Sequence, residues 1–96
     1  MTAGPCQRLI GIVDDDHGIR ETLSEILTDE GYEVLAAPDG REALQQLRRE
    51  GTPRPCLILL DLMMPVMNGA QFYREKQADS ALSSIPVYLH CARHDR

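Results

Sequence analysis

The 96-residue chain predicts an α/β fold, a doubly wound parallel sheet with helices on both faces. Three observations carry this reading. Apolar runs of strand length recur along the chain, segments between them repeat apolar residues at helical spacing, and two of the runs end on carboxylates. Leu9-Ile10-Gly11-Ile12-Val13 gives way to Asp14-Asp15-Asp16, and Leu57-Ile58-Leu59-Leu60 gives way to Asp61, followed by Leu62-Met63-Met64-Pro65. Short continuous apolar runs read as strands buried on both faces. Open α/β sheets bind ligands at the carboxyl ends of their strands, so both acidic clusters stand where a site belongs.

The elements follow in order. After a flexible lead over residues 1–7, Arg8 to Val13 reads as the first strand. Ile19, Leu23, Ile26 and Leu27 repeat at helical spacing and give the first helix an apolar stripe. Gly31 is its C-terminal stop. Tyr32 to Ala37 is the second strand, closed by Pro38. Asp39 caps the second helix with Glu42 three residues on, a capping-box-like start, and Ala43, Leu44 and Leu47 form its buried stripe. Gly51, Pro53 and Pro55 lead into the third strand, Cys56 to Leu60. Asn68 caps a third helix whose apolar face, Ala70, Phe72 and Tyr73, is short and interrupted by Lys76. Ile85 to His90 is the fourth strand, with Pro86 near its start, where proline is tolerated. Short connections between alternating strands and helices imply crossover units and one parallel sheet.

Composition excludes several classes. A chain of this length makes one small domain with a limited core. Its net charge of −5 lacks the basic footprint of a nucleic-acid binder. No stretch approaches the ~20 apolar residues of a transmembrane helix, and Met1-Thr2-Ala3-Gly4-Pro5 has neither the basic nor the apolar block of a signal peptide. The expected location is cytoplasmic, without nucleic-acid or membrane partners. Cys6, Cys56 and Cys91 fit neither a disulfide framework nor zinc-ligand spacing, and read as reduced thiols.

The chemistry lies in the carboxylates. Asp14, Asp15 and Asp61 would crowd like charges at one sheet edge, an arrangement that calls for a cation between them. Mg²⁺ suits it, since it takes oxygen ligands and is commonly held by one or two carboxylates together with substrate phosphate. Beside such a metal an aspartate can attack phosphorus and form an acyl phosphate. Phosphoryl transfer asks a protein mainly for positioning and charge stabilisation, which a small domain can supply. Alone, an acidic triplet is more often a solvated cap or turn than a site, and a lone acid after a strand more often simply begins a loop.

Taken together, the motifs resemble the receiver domain of bacterial two-component response regulators. The matching pieces are Ile12-Val13-Asp14-Asp15-Asp16, Pro38-Asp39-Gly40-Arg41-Glu42-Ala43-Leu44, Leu59-Leu60-Asp61-Leu62-Met63-Met64-Pro65-Val66-Met67-Asn68-Gly69 and Ile85-Pro86-Val87. The resemblance covers residues 8–96, and the block around Asp61 is very specific. It implies a flavodoxin-like (CheY-like) fold, truncated after strand four. Asp61 is implied as the phosphoacceptor, served by the phosphohistidine of a sensor histidine kinase or a histidine phosphotransfer protein. Asp14 and Asp15 match the acidic pair for Mg²⁺, Asp15 as a direct ligand and Asp14 partly through water. The backbone carbonyl of Met63 matches the position that completes the metal shell. Asp16 reads as the cap of the first helix, Gly69 as permitting the turn into the third helix, and Pro65 as shaping the loop.

Three departures from the family pattern stand out. Receivers place Ser or Thr at the end of strand four, where the hydroxyl bonds a phosphoryl oxygen; here that position is Cys91, a weaker donor. His90 precedes it, where the family has an apolar residue, and reads as a partly buried, hydrogen-bonded histidine. Receivers also carry a lysine at the end of a fifth strand, where it stabilises transferred charge. This sequence reaches Arg96 without a fourth helix or fifth strand, and its only lysine, Lys76, falls in the third helix. The open edge of strand four is then a pairing hazard, which predicts a homodimer through that edge.

Two functions remain open. The first is a regulatory, non-enzymatic phosphoacceptor that binds Mg²⁺, catalyses at most its own phosphorylation and dephosphorylation, and signals through a downstream protein partner. The second is a degenerate receiver that serves as a protein-interaction module. Intact carboxylates favour the first; Cys91 and the missing lysine favour the second. A free-standing aspartate phosphatase needs a second acid two residues after the nucleophile, where Met63 stands.

Overall fold

Four parallel strands and three helices alternate along the chain, in a computed structural model that describes residues 8–62, 64 and 67–90. The strands are β1 (Leu9–Val13), β2 (Glu33–Ala37), β3 (Leu57–Asp61) and β4 (Val87–His90). The helices are α1 (His17–Asp29), α2 (Gly40–Arg48) and α3 (Gly69–Ala78). The sheet order is β2-β1-β3-β4. The chain therefore winds outward from β1 to β2 and then crosses back to build β3 and β4 on the other side. β1 and β3 flank the point where the winding reverses, the crevice at which sheets of this kind bind ligands.

Alternation along the strands sorts the apolar residues between two faces. Val13, Leu35, Ala37, Ile58, Leu60 and Val87 pack with Ala43, Leu44 and Leu47 of α2 and Phe72 of α3, and this side holds the main core. The predicted α2 stripe is buried as expected. Leu82 and Ile85, on the segment between α3 and β4, and Met64 complete the cluster. α1 covers the opposite face alone among the described helices, lying against β1 and β2. Its sequence stripe is only half realised. Ile19, Leu23 and Leu27 are half-buried, Ile26 is 53% exposed, and no residue of α1 is fully buried. One helix cannot cover the outer face of four strands.

Several predicted boundaries shift for local reasons. Arg8 stands before β1, with φ +59° and its guanidinium donating to the Glu30 and Gly31 carbonyls. It also lies 4.4 Å from the centre of the Tyr32 ring, so Arg8 and Tyr32 close the α1–β2 turn instead of extending the strands. Cys56 precedes β3, and Asp61 lies inside it as the last residue. Ile85 and Pro86 precede β4, Ile85 turning into the core.

The third helix departs most from expectation. Ala70 and Tyr73 face outward, whereas Gly69, Phe72 and Lys76 form the buried face. Lys76 does not interrupt that face; it belongs to it, with 1% exposure. Its ammonium donates to the Ser83 carbonyl at 3.0 Å and to Gln77 Oε1 at 2.6 Å. The buried amine thus ties α3 to the segment leading into β4.

Candidate metal and phosphoacceptor site

The register of the sheet brings the two acidic ends together. Val13 pairs with Ala37 on one side and with Leu60 on the other. Asp14 follows the end of β1 and Asp61 is the last residue of β3, so they emerge side by side where the winding reverses. One carboxylate oxygen from each of Asp14, Asp15 and Asp61 lies within 4.8 Å of the others. Asp14 is 0% exposed and Asp61 5% exposed, while Asp15 opens to solvent. Asp15 is thus the member of the cluster that is open to solvent. An all-oxygen, anionic donor set of this kind fits a hard divalent cation that keeps several waters, such as Mg²⁺.

The loops that carry these acids are held by backbone and caps. The Asp14 N–H donates to the Ala37 carbonyl at 3.1 Å, extending the β1–β2 ladder by one bond. Asp14 Oδ1 accepts from the Asp16 N–H at 2.9 Å, which bends the chain away from the sheet. Asp16 then caps α1, accepting from the Ile19 N–H at 3.1 Å, as its position in the sequence predicts. Arg20, one turn into α1, donates from Nη1 to the Asp14 carbonyl at 2.8 Å.

On the β3 side, Asn68 accepts from the Gln71 N–H while Gln71 Oε1 accepts from the Asn68 N–H, a full capping box at the start of α3. Gly69 is present for contact, since its φ is not positive as a tight turn would require. A Cβ there would stand 2.8 Å from the Asp61 carbonyl oxygen and 2.8 Å from Leu62 Cα. The helix start therefore sits directly on the backbone of the candidate phosphoacceptor. Gly40 makes a similar approach, its N–H donating to the Met67 carbonyl at 3.3 Å.

Asp14, Asp15 and Asp61, named from the sequence, are brought together. Met63 and Cys91, also named from the sequence, lie outside the described residues, as do Pro65 and Cys6. His90 closes β4 opposite Asp61 in the register. The contacts of Arg20 with the Asp14 carbonyl and of Gly40 with the Met67 carbonyl are not legible in the sequence. An arginine six residues past a strand-end acid is a weak signal, because only the turn geometry brings the two together. No described helix is long and apolar enough to cross a membrane.

Comparison with known proteins agrees with this architecture. The model of the response regulator receiver domain family matches residues 10–96. The DNA-binding response regulator MtrA of Mycolicibacterium paratuberculosis is 39% identical over 89 residues, covering 93% of this chain and 36% of that protein. The alkaline phosphatase synthesis transcriptional regulatory protein SphR of Synechococcus elongatus is 38% identical over 97 residues, covering 95% of this chain and 37% of that protein. The chain thus spans about a third of the length of these curated relatives.

Among solved structures, the chemotaxis protein CheY4 of Vibrio cholerae superposes with a TM-score of 0.77 at 37% identity, over 84% of this chain and 65% of that one. The N-terminal domain of a response regulator receiver protein from Methanoculleus marisnigri gives a TM-score of 0.79 at 35% identity, over 88% and 67%. The CheY-like fold expected from the sequence is the fold observed, over four strands and three helices. A family match across nearly the whole chain, and an acidic cluster at the winding reversal of a 2-1-3-4 sheet, lead to one assignment: this chain belongs to the response regulator receiver domain family, a regulatory class.

Proposed function

We propose that the chain is the phosphoacceptor of a two-component relay, taking a phosphoryl group on Asp61 from the phosphohistidine of a sensor histidine kinase or a histidine phosphotransfer protein. In this reaction an Asp61 carboxylate oxygen attacks phosphorus, the histidine N–P bond breaks, and the imidazole nitrogen leaves with the bond's electron pair and takes up a proton. Asp61 becomes an acyl phosphate. Asp14, Asp15 and Asp61 would hold Mg²⁺, together with the Met63 carbonyl; the ion supplies charge neutralisation for the transferring phosphoryl oxygens. The Asp61 backbone is fixed between β1 and the start of α3, so the nucleophile is aimed before the phosphodonor arrives.

The single observation that carries this reading is the convergence of three carboxylate oxygens within 4.8 Å, with Asp61 nearly buried among them. Nothing among the described residues favours the interaction-only alternative over it. Output passes to a downstream protein partner, and a second copy of the chain is a candidate partner at β4. Residues 8–96 act as the receiver unit and residues 1–7 as a lead.

The test is intact mass after incubation with Mg²⁺ and acetyl phosphate or phosphoramidate. The wild-type chain is expected to gain one phosphoryl mass in a minor fraction, and Asp61→Asn none. Cys91→Thr is expected to raise the modified fraction or its lifetime, because a hydroxyl is the better donor. An unmodified wild type in the presence of metal and donor would leave the interaction-only reading standing.

A further inference from the structure

We propose that Arg20 is a positioning residue of the acidic site, fixing the end of β1 so that Asp14 and Asp15 meet Asp61 across the winding reversal. The proposal rests on the reading of the cluster as a Mg²⁺ site. Asp14 is the first residue beyond β1, and a carbonyl leaving a sheet ladder needs a donor when it is buried. Arg20 Nη1 supplies that donor at 2.8 Å. Charge-assisted bonds of this kind are short and strong. The Asp14 N–H is tied to Ala37 and its Oδ1 to the Asp16 N–H. The Arg20 N–H itself donates to the Asp16 carbonyl at 3.0 Å. The turn carrying Asp14, Asp15 and Asp16 is therefore anchored to β2 at one end and to α1 at the other. Across that second junction the guanidinium acts beside the Asp16 cap, whose Oδ1 accepts from the Ile19 N–H, and it is the side chain that reaches back from α1 to the Asp14 carbonyl. Its Nη2 lies 3.3 Å from His17 Nδ1, which fixes the guanidinium plane on the first turn of α1.

Charge alone would act in the opposite direction. A guanidinium beside a divalent-cation site repels the ion, so removing a merely neighbouring arginine would tighten metal binding. Removing a positioning arginine would loosen it, because ligands lose their orientation when the groups supporting them are lost. The sign of the change therefore separates the two roles.

The experiment titrates Mg²⁺ into wild type, Arg20→Met and Arg20→Lys, following the amide resonances of Asp15 and Asp61. Hydrogen exchange of the Asp16 amide is measured in the metal-free proteins. Arg20→Met is expected to weaken Mg²⁺ about 10-fold and to speed Asp16 exchange about 10-fold, with Ile26 and Leu27 in α1 unchanged. Arg20→Lys, which keeps the charge and one long-reaching donor, is expected to recover most of both. Mg²⁺ binding to Arg20→Met as tight as wild type, or tighter, would overturn the proposal. So would faster exchange throughout α1, which would mark Arg20 as a support of the helix alone. If wild type itself fails to respond to Mg²⁺, the metal reading falls, and Asp16 exchange still decides whether Arg20 holds the turn.

Discussion

Lys76 carries the chain's only buried ammonium among the described residues, and burying a charge is unfavourable. Desolvation pushes its pKa below the ordinary lysine value of 10.5. The folded-state pKa therefore lies below the unfolded one, and between the two the unfolded chain binds more protons. Stability rises with pH through that window and levels near 10.5, while the full penalty applies below the folded-state pKa. Two hydrogen bonds, to Ser83 and Gln77, offset only part of this cost. Replacing a buried charge by an apolar residue of similar length is often neutral or stabilising. Lys76→Met is accordingly expected to stabilise the protein by about 1 kcal/mol at pH 7, with the gain shrinking toward pH 10.5. Urea denaturation of both proteins at pH 7 and pH 10 checks this. A Met variant less stable than wild type at pH 7 would show that the bond to Ser83 outweighs the burial.

At the scale of elements, helix ends place the site. α1 stops in a full Schellman arrangement, the Tyr32 N–H donating to the Leu27 carbonyl and the Gly31 N–H to Thr28, with Gly31 at φ +93°. α2 and α3 are joined at their far ends by Arg48, which bonds Asp79 at 3.0 Å. The Ala81 N–H, then Arg48, hold the Asp79 carboxyl below its usual range. The most exacting contact is at the start of α3. Alanine favours a helix over glycine by about 1 kcal/mol, yet at Gly69 the atoms a Cβ would strike are backbone atoms of Asp61 and Leu62, which cannot rotate away. Sterics win there. Gly69→Ala is expected to cost about 1–3 kcal/mol and to shift the Asp61 amide resonance. An unchanged urea midpoint would mean that the α3 start is free to move off β3.

Over the whole molecule, the two faces of the sheet are unequally covered. The α2–α3 side buries an eleven-residue core cluster, whereas the α1 side has, among the described residues, one helix lying over β1 and β2. Tyr88, paired in register with Leu59, is 64% exposed, and Leu89 is also exposed. Among the described strands β4 pairs only with β3. An edge left unpaired among the described residues and carrying apolar side chains favours pairing with another strand, and each such side chain buried contributes roughly 1.5–3 kcal/mol. The chain is expected to self-associate through β4, with apparent mass rising between about 10 and 100 µM by light scattering and Tyr88→Lys returning it to monomer. A monomer with a cooperative melt across that range would show the edge to be protected.

The sequence determined the parts whose physics is local. Apolar runs marked four strands, Asp16, Asp39 and Asn68 marked the helix starts, Gly31 marked a stop, and strand-end acids marked the site, because periodicity, capping and strand burial are set within a few residues. The identity of the acidic cluster was legible for the same reason. Asp14, Asp15 and Asp61 each end or follow an apolar run, and a parallel sheet brings such ends to one edge. What tertiary structure alone decided is which groups meet across the chain. Lys76 looked like a break in an apolar face until the segment around Ser83 folded over it. Gly69 looked like a turn residue until Asp61 lay against it. Ile26 looked like core, but burial of a helix stripe depends on how much sheet and helix surround it. Arg20 gives only a weak sequence signal, because its partner is a backbone carbonyl whose position depends on the bend after β1. Contacts between distant segments carry no pattern in either segment alone, and the fold creates them.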